Sequence, residues 1–447
     1  MNTEDTIFAL ASGKGRAGIA VIRLSGRAAG AALKSLGNDD LPMPRQAKWT
    51  SLINSQGDVL DDGLVLWFPA PASFTGEDVV ELHVHGGTAV INALQLALSA
   101  LAGLRPAEPG EFSRRAFENG KMDLTAAEGL ADLIEAETEA QRKQARRQSR
   151  GELGRLYESW RDCLIRAQAL SEADIDFSDE DIPDDLVGEA RSIATQMAKD
   201  IAVHLDDAHR GERLRAGLYL AIIGPPNAGK SSLLNRLAKR DAAIVSDIAG
   251  TTRDVIDVHL DLGGYPVIAA DTAGLREARD SIETEGVRRA RERAEDADMK
   301  LAVFDASDLQ AAAELDPLTL ELIDSNTLII LNKCDEPHGA LPDQVKNRPV
   351  LVLSAKTGEG FDALLVALQS LASELLAGDT GPGLTRQRHR DALKDCHSAL
   401  KRAIVAEEAE LMGEDLRLAT RALGRITGRV DVEDLLDVIF SKFCIGK

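Results

Sequence analysis

Residues 218–237 read LYLAIIGPPNAGKSSLLNRL, which is an apolar run, a glycine-bounded loop and a helical run in succession. Within this stretch, residues 224–231 match G-x-x-x-x-G-K-S, a loop that turns backbone N–H groups around phosphate oxygens at a helix N-terminus. In that role Lys230 contacts the β- and γ-phosphates, and the hydroxyl of Ser231 binds Mg²⁺. Because the expected strand and helix flank the loop, the stretch predicts a P-loop nucleotide-binding domain rather than a merely structural glycine turn.

Three further motifs follow predicted strands in order along the chain: DTAG at 271–274, NKCD at 332–335 and SAK at 354–356. Asp271 can hold Mg²⁺ through water, and the N–H of Gly274 can sense a γ-phosphate. The carboxylate of Asp335 only accepts hydrogen bonds, which suits the N1–H and amino group of guanine and not the edge of adenine. A backbone N–H of SAK can reach the guanine carbonyl. With the P-loop, these motifs resemble the G1, G3, G4 and G5 elements of translation-factor-class GTPases, so the sequence predicts GTP as the ligand.

The segment expected to offer a threonine to Mg²⁺ is GTTRD at residues 250–254, where two threonines compete. Leu275 follows DTAG, at the place where Ras-like proteins carry the glutamine that orients the attacking water. Hydrolysis therefore needs a cation, a partner or a downstream acid such as Glu277, Glu283 or Glu285. The residues that we predict to bind GTP are Asn227, Ala228, Gly229, Lys230, Ser231, Ser232, Ser246, Asp247, Ile248, Ala249, Gly250, Thr251, Thr252, Asp271, Thr272, Ala273, Gly274, Asn332, Lys333, Asp335, Ser354, Ala355 and Lys356.

The composition limits the classes of partner. The chain has 447 residues, of which 52 are basic and 73 acidic, so its net charge is −21. This charge argues against binding nucleic acid or an anionic membrane over the whole protein surface. A nucleic-acid partner therefore needs a local basic patch on this chain or a second protein. Four scattered cysteines without a CxxC pair exclude a disulfide scaffold and a cysteine-based zinc site, and they suit a reducing compartment.

The uncharged segment at residues 86–104 is close to the length of a membrane span. Its polar residues Thr88, Asn92, Gln95 and Ser99 fall on one helical face, which predicts an amphipathic surface helix instead. The N-terminus has no basic stretch typical of a signal peptide. We therefore expect a cytoplasmic protein that does not bind a membrane.

The hydrophobic pattern divides the chain into four segments. Residues 1–118 mix apolar alternations with glycine and proline turns and predict an α+β domain. Residues 216–378 alternate short apolar strands with helices, which is typical of βαβ units and a mostly parallel sheet. Residues 119–215 and 379–447 show helical spacing. The predicted fold class is multidomain α/β plus α, with a P-loop, Ras-like GTPase domain inserted into a discontinuous helical domain.

Three segments are more specific than the shared GTPase motifs: FTGEDVVELHVHGG at 74–87, PGEFSRRAF at 109–117 and FCIGK at 443–447. The predicted GTPase domain also carries GPPNAGKSSLLN at 224–235 and DIAGTTRD at 247–254. Together with the domain order, they make the chain resemble the MnmE (TrmE) tRNA-modification GTPases over essentially its whole length. The resemblance implies that the N-terminal domain is the folate-binding, dimer-forming domain of that family, similar to the T-protein of glycine cleavage.

The resemblance also implies a function. The wobble uridine of certain tRNAs would be converted to a 5-carboxymethylaminomethyl or 5-aminomethyl derivative. The implied one-carbon donor is a reduced folate, either 5,10-methylenetetrahydrofolate or a 5-formyltetrahydrofolate-like compound. The implied partners are a second copy of the chain and the FAD-dependent protein MnmG, in a heterotetramer or a larger assembly. Because the chain is acidic, we expect it to bind tRNA weakly by itself.

Matching positions carry roles from the family to this chain. The implied folate contacts are Arg23, Glu81, Lys121 and Lys447. The implied potassium ligands are Asn227, Ser246, Ile248 and Thr251, and the implied Mg²⁺ ligands are Ser231 and Thr252. Potassium would then act as a cationic finger in hydrolysis. Glu283 matches the acid that positions water, and Cys444 matches the cysteine needed for modification. Pro225 and Ser246 depart from the arginine and threonine that relatives often carry, and the second change weakens the match to the potassium site.

Alternatives to these roles stay open in the sequence. Glu81, His83 and His85 alternate on one strand face and could form a metal site of two histidines and a carboxylate. Cys444 could be a buried structural residue, a redox group or, with an atypical terminal Lys447, a prenylation site. The whole chain could be a ribosome-assembly GTPase switch without folate chemistry. A membrane-remodelling GTPase is disfavoured because no basic amphipathic membrane-binding element is evident.

Overall fold

The computed structural model of the protein describes residues 5–13, 15–37, 39–176, 185–239, 257–271, 291–307, 315–377, 382–430, 433–441 and 443–446. Its strands are β1 (Thr6–Leu10), β2 (Ala17–Ser25), β3 (Lys48–Ile53), β4 (Val59–Phe68), β5 (Val79–Gly86), β6 (Leu104–Pro106), β7 (Leu218–Ile223), β8 (Asp257–Leu262), β9 (Tyr265–Asp271), β10 (Met299–Asp305), β11 (Thr327–Asn332), β12 (Gln344–Val345) and β13 (Arg348–Val352). Its helices include α1 (Ala29–Ser35), α2 (Thr88–Ser99), α3 (Glu111–Glu118), α4 (Leu124–Glu135), α5 (Glu139–Ser149), α6 (Glu152–Asp176), α7 (Leu186–Leu205), α8 (Arg210–Ala216), α9 (Lys230–Ala238), α10 (Pro317–Glu321), α11 (Phe361–Leu376), α12 (Gln387–Val405), α13 (Ala409–Thr427) and α14 (Glu433–Phe440).

The chain divides into two compact units. The first contains Met1–Ala131, Gln148–Ala194 and Ser398–Lys447, and the second contains Asp132–Arg147 and Thr195–His397. Each unit thus holds a sheet and several helices. The four domain boundaries expected from the sequence, and the insertion of one domain into another, stay predictions.

The first unit contains a six-stranded sheet in the order β3-β4-β5-β2-β1-β6. β1 and β6 are parallel, and the other neighbours are antiparallel. Ile22 and Leu24 of β2 and Leu82 of β5 are fully buried in one apolar core with α1 and α2. Because side chains alternate along a strand, Arg23 and Glu81 lie on the opposite face of the sheet, opposite each other in register. This is how two residues 58 positions apart come to form one cluster.

The uncharged segment does form an amphipathic helix, α2, as predicted. Leu94 and Leu98 are fully buried, whereas Thr88, Asn92 and Ser99 are exposed. None of the helices in the described part of the chain is both long enough and apolar enough to span a bilayer.

The first unit also contains the pair formed by α6 and α13, which pack along each other. Both helices are amphipathic. Leu164 and Ala167 of α6 are fully buried, as are Leu416 and Ala419 of α13, while the opposite faces carry charged residues.

The second unit contains a seven-stranded sheet in the order β12-β13-β11-β10-β7-β9-β8. The five inner strands are parallel, and the edge strands β8 and β12 are antiparallel to their neighbours. The prediction of a mostly parallel sheet is therefore confirmed. Every residue of the central strand β10 is buried, as expected for a strand covered on both faces. The carboxyl ends of the parallel strands meet at one edge, which is where ligands bind in sheets of this kind.

Candidate functional site

The loop between β7 and α9 has the backbone that a phosphate cradle requires. Gly224 and Gly229 have φ angles of 147° and 93°, in the region that favours glycine. A Cβ at Gly224 would collide with the carbonyl oxygen of Val303, and one at Gly229 would collide with the side-chain nitrogen of Asn332. The two glycines of the motif are thus needed both for the turn and for close packing against β10 and β11.

Lys230 begins α9 and lies across the loop. Its Nζ donates hydrogen bonds to the carbonyl oxygens of Gly224 and Pro225, at 2.8 and 2.7 Å. The ammonium group is therefore held at the loop, where it can also donate to phosphate oxygens. Asn227 is exposed at the tip of the loop with φ of 63°.

One buried side chain joins three of the motifs. Nδ2 of Asn332 donates to the carbonyl oxygen of Ala228 at 2.8 Å, and its Oδ1 accepts from the backbone N–H of Ala355 at 2.9 Å. Asn332 is 1 % exposed, so both hydrogen bonds are shielded from water. The P-loop, the NKCD motif and the SAK motif are thereby held in one arrangement.

Asp335 is held as a carboxylate beside the SAK motif. The hydroxyl of Ser354 donates to its Oδ1 at 2.5 Å, and this hydrogen bond lowers the pKa of Asp335. An ionised carboxylate is the form that accepts from two N–H donors of a base. Lys333 forms an ion pair with Asp305 at the end of β10. Burial alone raises the pKa of Asp305, but hydrogen bonds from Lys333 and Ser307 outweigh burial and lower it.

Arg236 is a residue of this site that the motifs did not indicate. Its Nη1 donates to the carbonyl oxygens of Ala355 and Lys356 at 2.7 and 3.0 Å, and its Nη2 donates to that of Thr357 at 2.9 Å. The guanidinium carbon also lies 5.7 Å from the centroid of the Phe361 ring. Arg236 thus fixes the SAK loop to the helix that follows the P-loop.

We expect Arg236→Lys to weaken GTP binding by about tenfold or more, since a lysine cannot reach all three carbonyls and each net hydrogen bond contributes about 0.5–1.5 kcal/mol. Titration with a fluorescent GTP analogue measures the effect. Arg291→Lys, at an exposed arginine that pairs with Glu295, is the matched control and should bind normally. Equal affinities of the two variants would show that Arg236 does not position the guanine loop.

Several predicted site residues lie outside the described part of the chain: Ser246, Asp247, Ile248, Ala249, Gly250, Thr251, Thr252, Thr272, Ala273, Gly274, Glu283 and Lys447. The acids Glu277 and Glu285 and the leucine after DTAG also lie outside it. Asp271 is the last residue of β9, paired in register with Ile222 of β7. The DTAG motif therefore starts at the same sheet edge as the P-loop.

A second cluster lies on the sheet of the first unit. The Nη2 and Nε of Arg23 donate to Oε1 of Glu81 at 2.9 and 3.1 Å. The guanidinium carbon of Arg23 lies 5.5 and 5.9 Å from the ring centroids of Phe74 and Phe112. The structure thus brings together two of the four predicted folate contacts. A third, Lys121, donates to the carbonyl oxygen of Pro71 at 2.9 Å.

The alternative metal site on β5 is wrong for this structure. Nε2 of His83 lies 3.3 Å from Glu81, but His85 pairs with Asp61, with Nδ1 and Oδ1 2.9 Å apart. Burial raises the pKa of Asp61, but the hydrogen bonds to His85 lower it overall. Within the described residues, no group of histidine, cysteine, aspartate or glutamate side chains could hold a metal ion.

The C-terminal segment is anchored on both sides of its cysteine. The Phe443 ring packs against Phe440 with centroids 5.2 Å apart, in a core with Leu124. Gly446 has φ of 97°, and a Cβ there would collide with the carbonyl oxygen of Leu10. Between these anchors the side chain of Cys444 is exposed. The alternative of a buried structural cysteine is therefore wrong.

The parallel sheet, the glycine-bounded loop before α9 and the two hydrogen bonds of the Asn332 side chain define a P-loop GTPase. The comparisons with known proteins place it within that class. The family model described as the MnmE helical domain matches residues 124–444, and the one described as the GTP-binding protein TrmE N-terminus matches residues 6–121.

Similar curated proteins match over nearly their full length. The chain is 60 % identical to the tRNA modification GTPase MnmE of Paramagnetospirillum magneticum, covering 99 % of this chain and 100 % of that protein. It is 56 % identical to the protein of the same name from Rhodospirillum rubrum, covering 100 % of both. Among solved structures, a variant of Aquifex aeolicus Era bound to GDP.AlF4- is 25 % identical with a TM-score of 0.27, covering 40 % of this chain and 66 % of that one. The chain belongs to the MnmE family and is a GTPase.

Proposed function

We propose that this chain hydrolyses GTP as part of the modification of the wobble uridine in tRNA. The product would be a 5-carboxymethylaminomethyl or 5-aminomethyl uridine, made with an FAD-dependent MnmG-like partner and a reduced folate as one-carbon donor. The observation that carries the proposal is the presence, in one chain, of a GTPase site and of a separate arginine–glutamate cluster with an exposed terminal cysteine. The name shared by the relatives, tRNA modification GTPase, supports it.

The arginine–glutamate cluster suits a reduced folate. A pterin ring carries amino and N–H donors that a carboxylate such as Glu81 can accept, and its aromatic face can lie near Phe74 or Phe112. Arg23 would hold the carboxylate of Glu81 in place beside the ring through its two hydrogen bonds. The folate, 5,10-methylenetetrahydrofolate or a 5-formyl-like form, would supply the one-carbon unit, and Lys121 and Lys447 would complete its contacts. Cys444 would provide a solvent-accessible thiol to the modification reaction.

A pure GTPase switch, such as one that acts in ribosome assembly, is the second reading of the sequence. No observation on the described residues favours it. A switch without folate chemistry has no need to bind folate, so folate binding to the isolated protein discriminates between the two functions.

Hydrolysis would use metal ions held by the P-loop and the segment after it. The hydroxyl of Ser231, at the start of α9, would bind Mg²⁺ together with Thr252, and these ligands fit because hard oxygen donors suit that ion. The side-chain oxygen of Asn227 at the tip of the loop would hold K⁺, with Ser246, Ile248 and Thr251 completing its ligands. Bound there, K⁺ would supply positive charge to the transition state. Glu283 would position the attacking water.

The proposed assembly is a homodimer through the N-terminal domain, with two GTPase domains that meet during hydrolysis. An MnmG-like FAD protein would add to it in a heterotetramer or larger complex. We place this assembly, and its tRNA substrate, in the cytoplasm. Since the chain is acidic, the partner would contribute much of the positive surface for tRNA.

We expect GTP turnover to be much faster in potassium than in sodium at equal ionic strength. A cation that acts like an arginine finger contributes roughly 10³–10⁵ in rate in related enzymes. Asn227→Gly should abolish the difference between the two salts. This variant removes the side-chain oxygen while glycine tolerates the φ of 63° at that position.

Glu283→Ala is the control for the potassium prediction, because it removes the group that positions water and not a potassium ligand. It should hydrolyse GTP slowly yet still dimerise in potassium with GDP and a transition-state mimic. Equal turnover of the unaltered protein in both salts would contradict the potassium mechanism.

A further inference from the structure

A pocket lined by arginines lies between α6 and α13 of the first unit, and none of its residues belongs to the clusters described above. Its volume is about 280 Å³, and it is lined by Arg161, Gln168, Arg417, Thr420, Arg421 and Val430. None of these lining residues is a carboxylate, although the chain carries 73 acids against 52 bases. The pocket is thus a local concentration of positive charge on an acidic protein.

The guanidinium of Arg161 has an unsatisfied donor. Its Nε is buried and has no hydrogen-bond partner among the described residues. Its Nη1 is 3.9 Å from Oε2 of Glu158, which is too long for a hydrogen bond. The other oxygen of Glu158 accepts from Thr427 at 2.9 Å and from Arg429 at 2.8 Å. Because buried donors are normally hydrogen-bonded, Arg161 is suited to receive an anion from outside.

The α13 side of the pocket continues as a row of arginines. Arg417, Arg421 and Arg425 are spaced four residues apart, so they lie along one helical face over about 12 Å. Like charges at this spacing destabilise an isolated helix. The only acid that contacts Arg417 within the described part of the chain is the exposed Glu414, at 2.7 and 2.8 Å, and exposed pairs of this kind contribute little. The guanidinium of Arg417 therefore contributes little to helix stability through this pair and can also donate to a ligand in the pocket.

We propose that this arginine pocket binds a phosphate of the RNA backbone, which rests on the proposed function in tRNA modification. The planar guanidinium forms two parallel hydrogen bonds to phosphate, so Arg161 and Arg421 can hold one group from two helices. At the pocket wall, the hydroxyl of Thr420 donates to the carbonyl oxygen of Leu416 and the amide of Gln168 donates to Glu172. The arginines therefore supply the donors for the phosphate. Contacts of this type orient RNA on a protein without reading its sequence.

The charge balance of the chain favours RNA over an acidic protein as the occupant. A polyanion can approach a chain of net charge −21 only where bases are concentrated, and tRNA is the polyanion that the proposed function requires. The pocket is also a single concave site for one anionic group rather than a broad docking face. An acidic protein partner is the competing occupant.

The test compares Arg161→Gln/Arg421→Gln with Arg166→Gln in the full-length protein. Arg166 also lies on α6 but outside the pocket, is 69 % exposed and pairs with Glu189. The dissociation constant of an unmodified tRNA transcript is measured over a series of potassium chloride concentrations. We expect the double variant to bind tRNA more weakly at low salt, by about tenfold or more. The logarithm of the association constant falls as the logarithm of the salt concentration rises, and we expect the magnitude of this slope to decrease by about one for each arginine removed.

Arg166→Gln should match the unaltered protein in affinity and in slope, and intrinsic GTP turnover should be the same in all three proteins. If the double variant is unstable, Arg421→Gln alone, at an exposed position, should lower the slope by about one. Unchanged affinity and slope would overturn the proposal, as would loss of binding to the FAD-dependent partner without loss of tRNA affinity. Failure of the proposed function is seen separately, as normal wobble uridines in a strain that lacks this protein.

Discussion

Asp335→Asn should bind xanthosine triphosphate more tightly than GTP. The amide offers an N–H₂ donor to the second carbonyl of xanthine, whereas the amino group of guanine loses its charged acceptor. Each hydrogen bond to a charged group contributes about 1.5–3 kcal/mol, so GTP affinity should fall by at least about tenfold. Competition titrations with GTP and xanthosine triphosphate against one fluorescent nucleotide measure both affinities.

Ser354→Ala is the control for this change of specificity. It removes the hydroxyl that donates to Asp335 at 2.5 Å but keeps the carboxylate. We expect weaker GTP binding without any gain for xanthosine triphosphate. If Asp335→Asn bound GTP as tightly as the unaltered protein, NKCD would not be the guanine site.

Cys444→Ser should abolish tRNA modification and leave GTP hydrolysis nearly intact. The exchange is almost isosteric, and the side chain is exposed, so it removes a thiol without removing buried packing. The neighbouring Phe443 and Gly446, which anchor the segment, are untouched. The readouts are GTP turnover of the purified variant and the wobble-uridine nucleosides of a deletion strain that expresses it.

Cys163→Ser is the matched control, since Cys163 is also exposed and lies on α6. It should support normal modification. Parallel loss of GTP turnover, modification and thermal stability in Cys444→Ser would contradict a specific role of the thiol in modification.

The parallel sheet was largely predictable because its strands are continuous apolar runs. The sequence has apolar runs at residues 218–223, 301–304 and 328–331. β7 coincides with the first run, and β10 and β11 extend one or two residues beyond each end of the other two. The edge strand β8 was not predicted. Its sequence DVHLDL alternates polar and apolar residues, so no continuous apolar run marks it as it marks the inner strands.

The motifs indicated the residues that would contact the phosphates and the guanine base. They did not indicate the side chains that hold the motif loops in position. Arg236 lies on a helix where an arginine is indistinguishable, by pattern alone, from a solvated surface residue. Only the fold brings the SAK loop over it and supplies three carbonyl acceptors. The same holds for Asn332, whose two hydrogen bonds join segments 104 and 23 residues away. Long-range hydrogen bonds of this kind leave no local signal in a sequence.

The arginine–glutamate pair was predictable in part: its two residues were, but their direct contact was not. Family resemblance selected Arg23 and Glu81, and the alternation along β2 and β5 predicts which face each occupies. That they are direct neighbours depends on the register of the antiparallel pair, which periodicity does not determine. The aromatic rings of Phe74 and Phe112 beside Arg23 likewise follow from the fold alone.

The nucleosides at the wobble position of tRNA from a deletion strain test the central claim most directly. Total tRNA is digested and analysed by mass spectrometry, with the deletion strain that carries the unaltered gene on a plasmid as the comparison. The account predicts that 5-carboxymethylaminomethyl and 5-aminomethyl uridines disappear in the deletion strain and return with the plasmid. Normal amounts of both nucleosides in the deletion strain would contradict it.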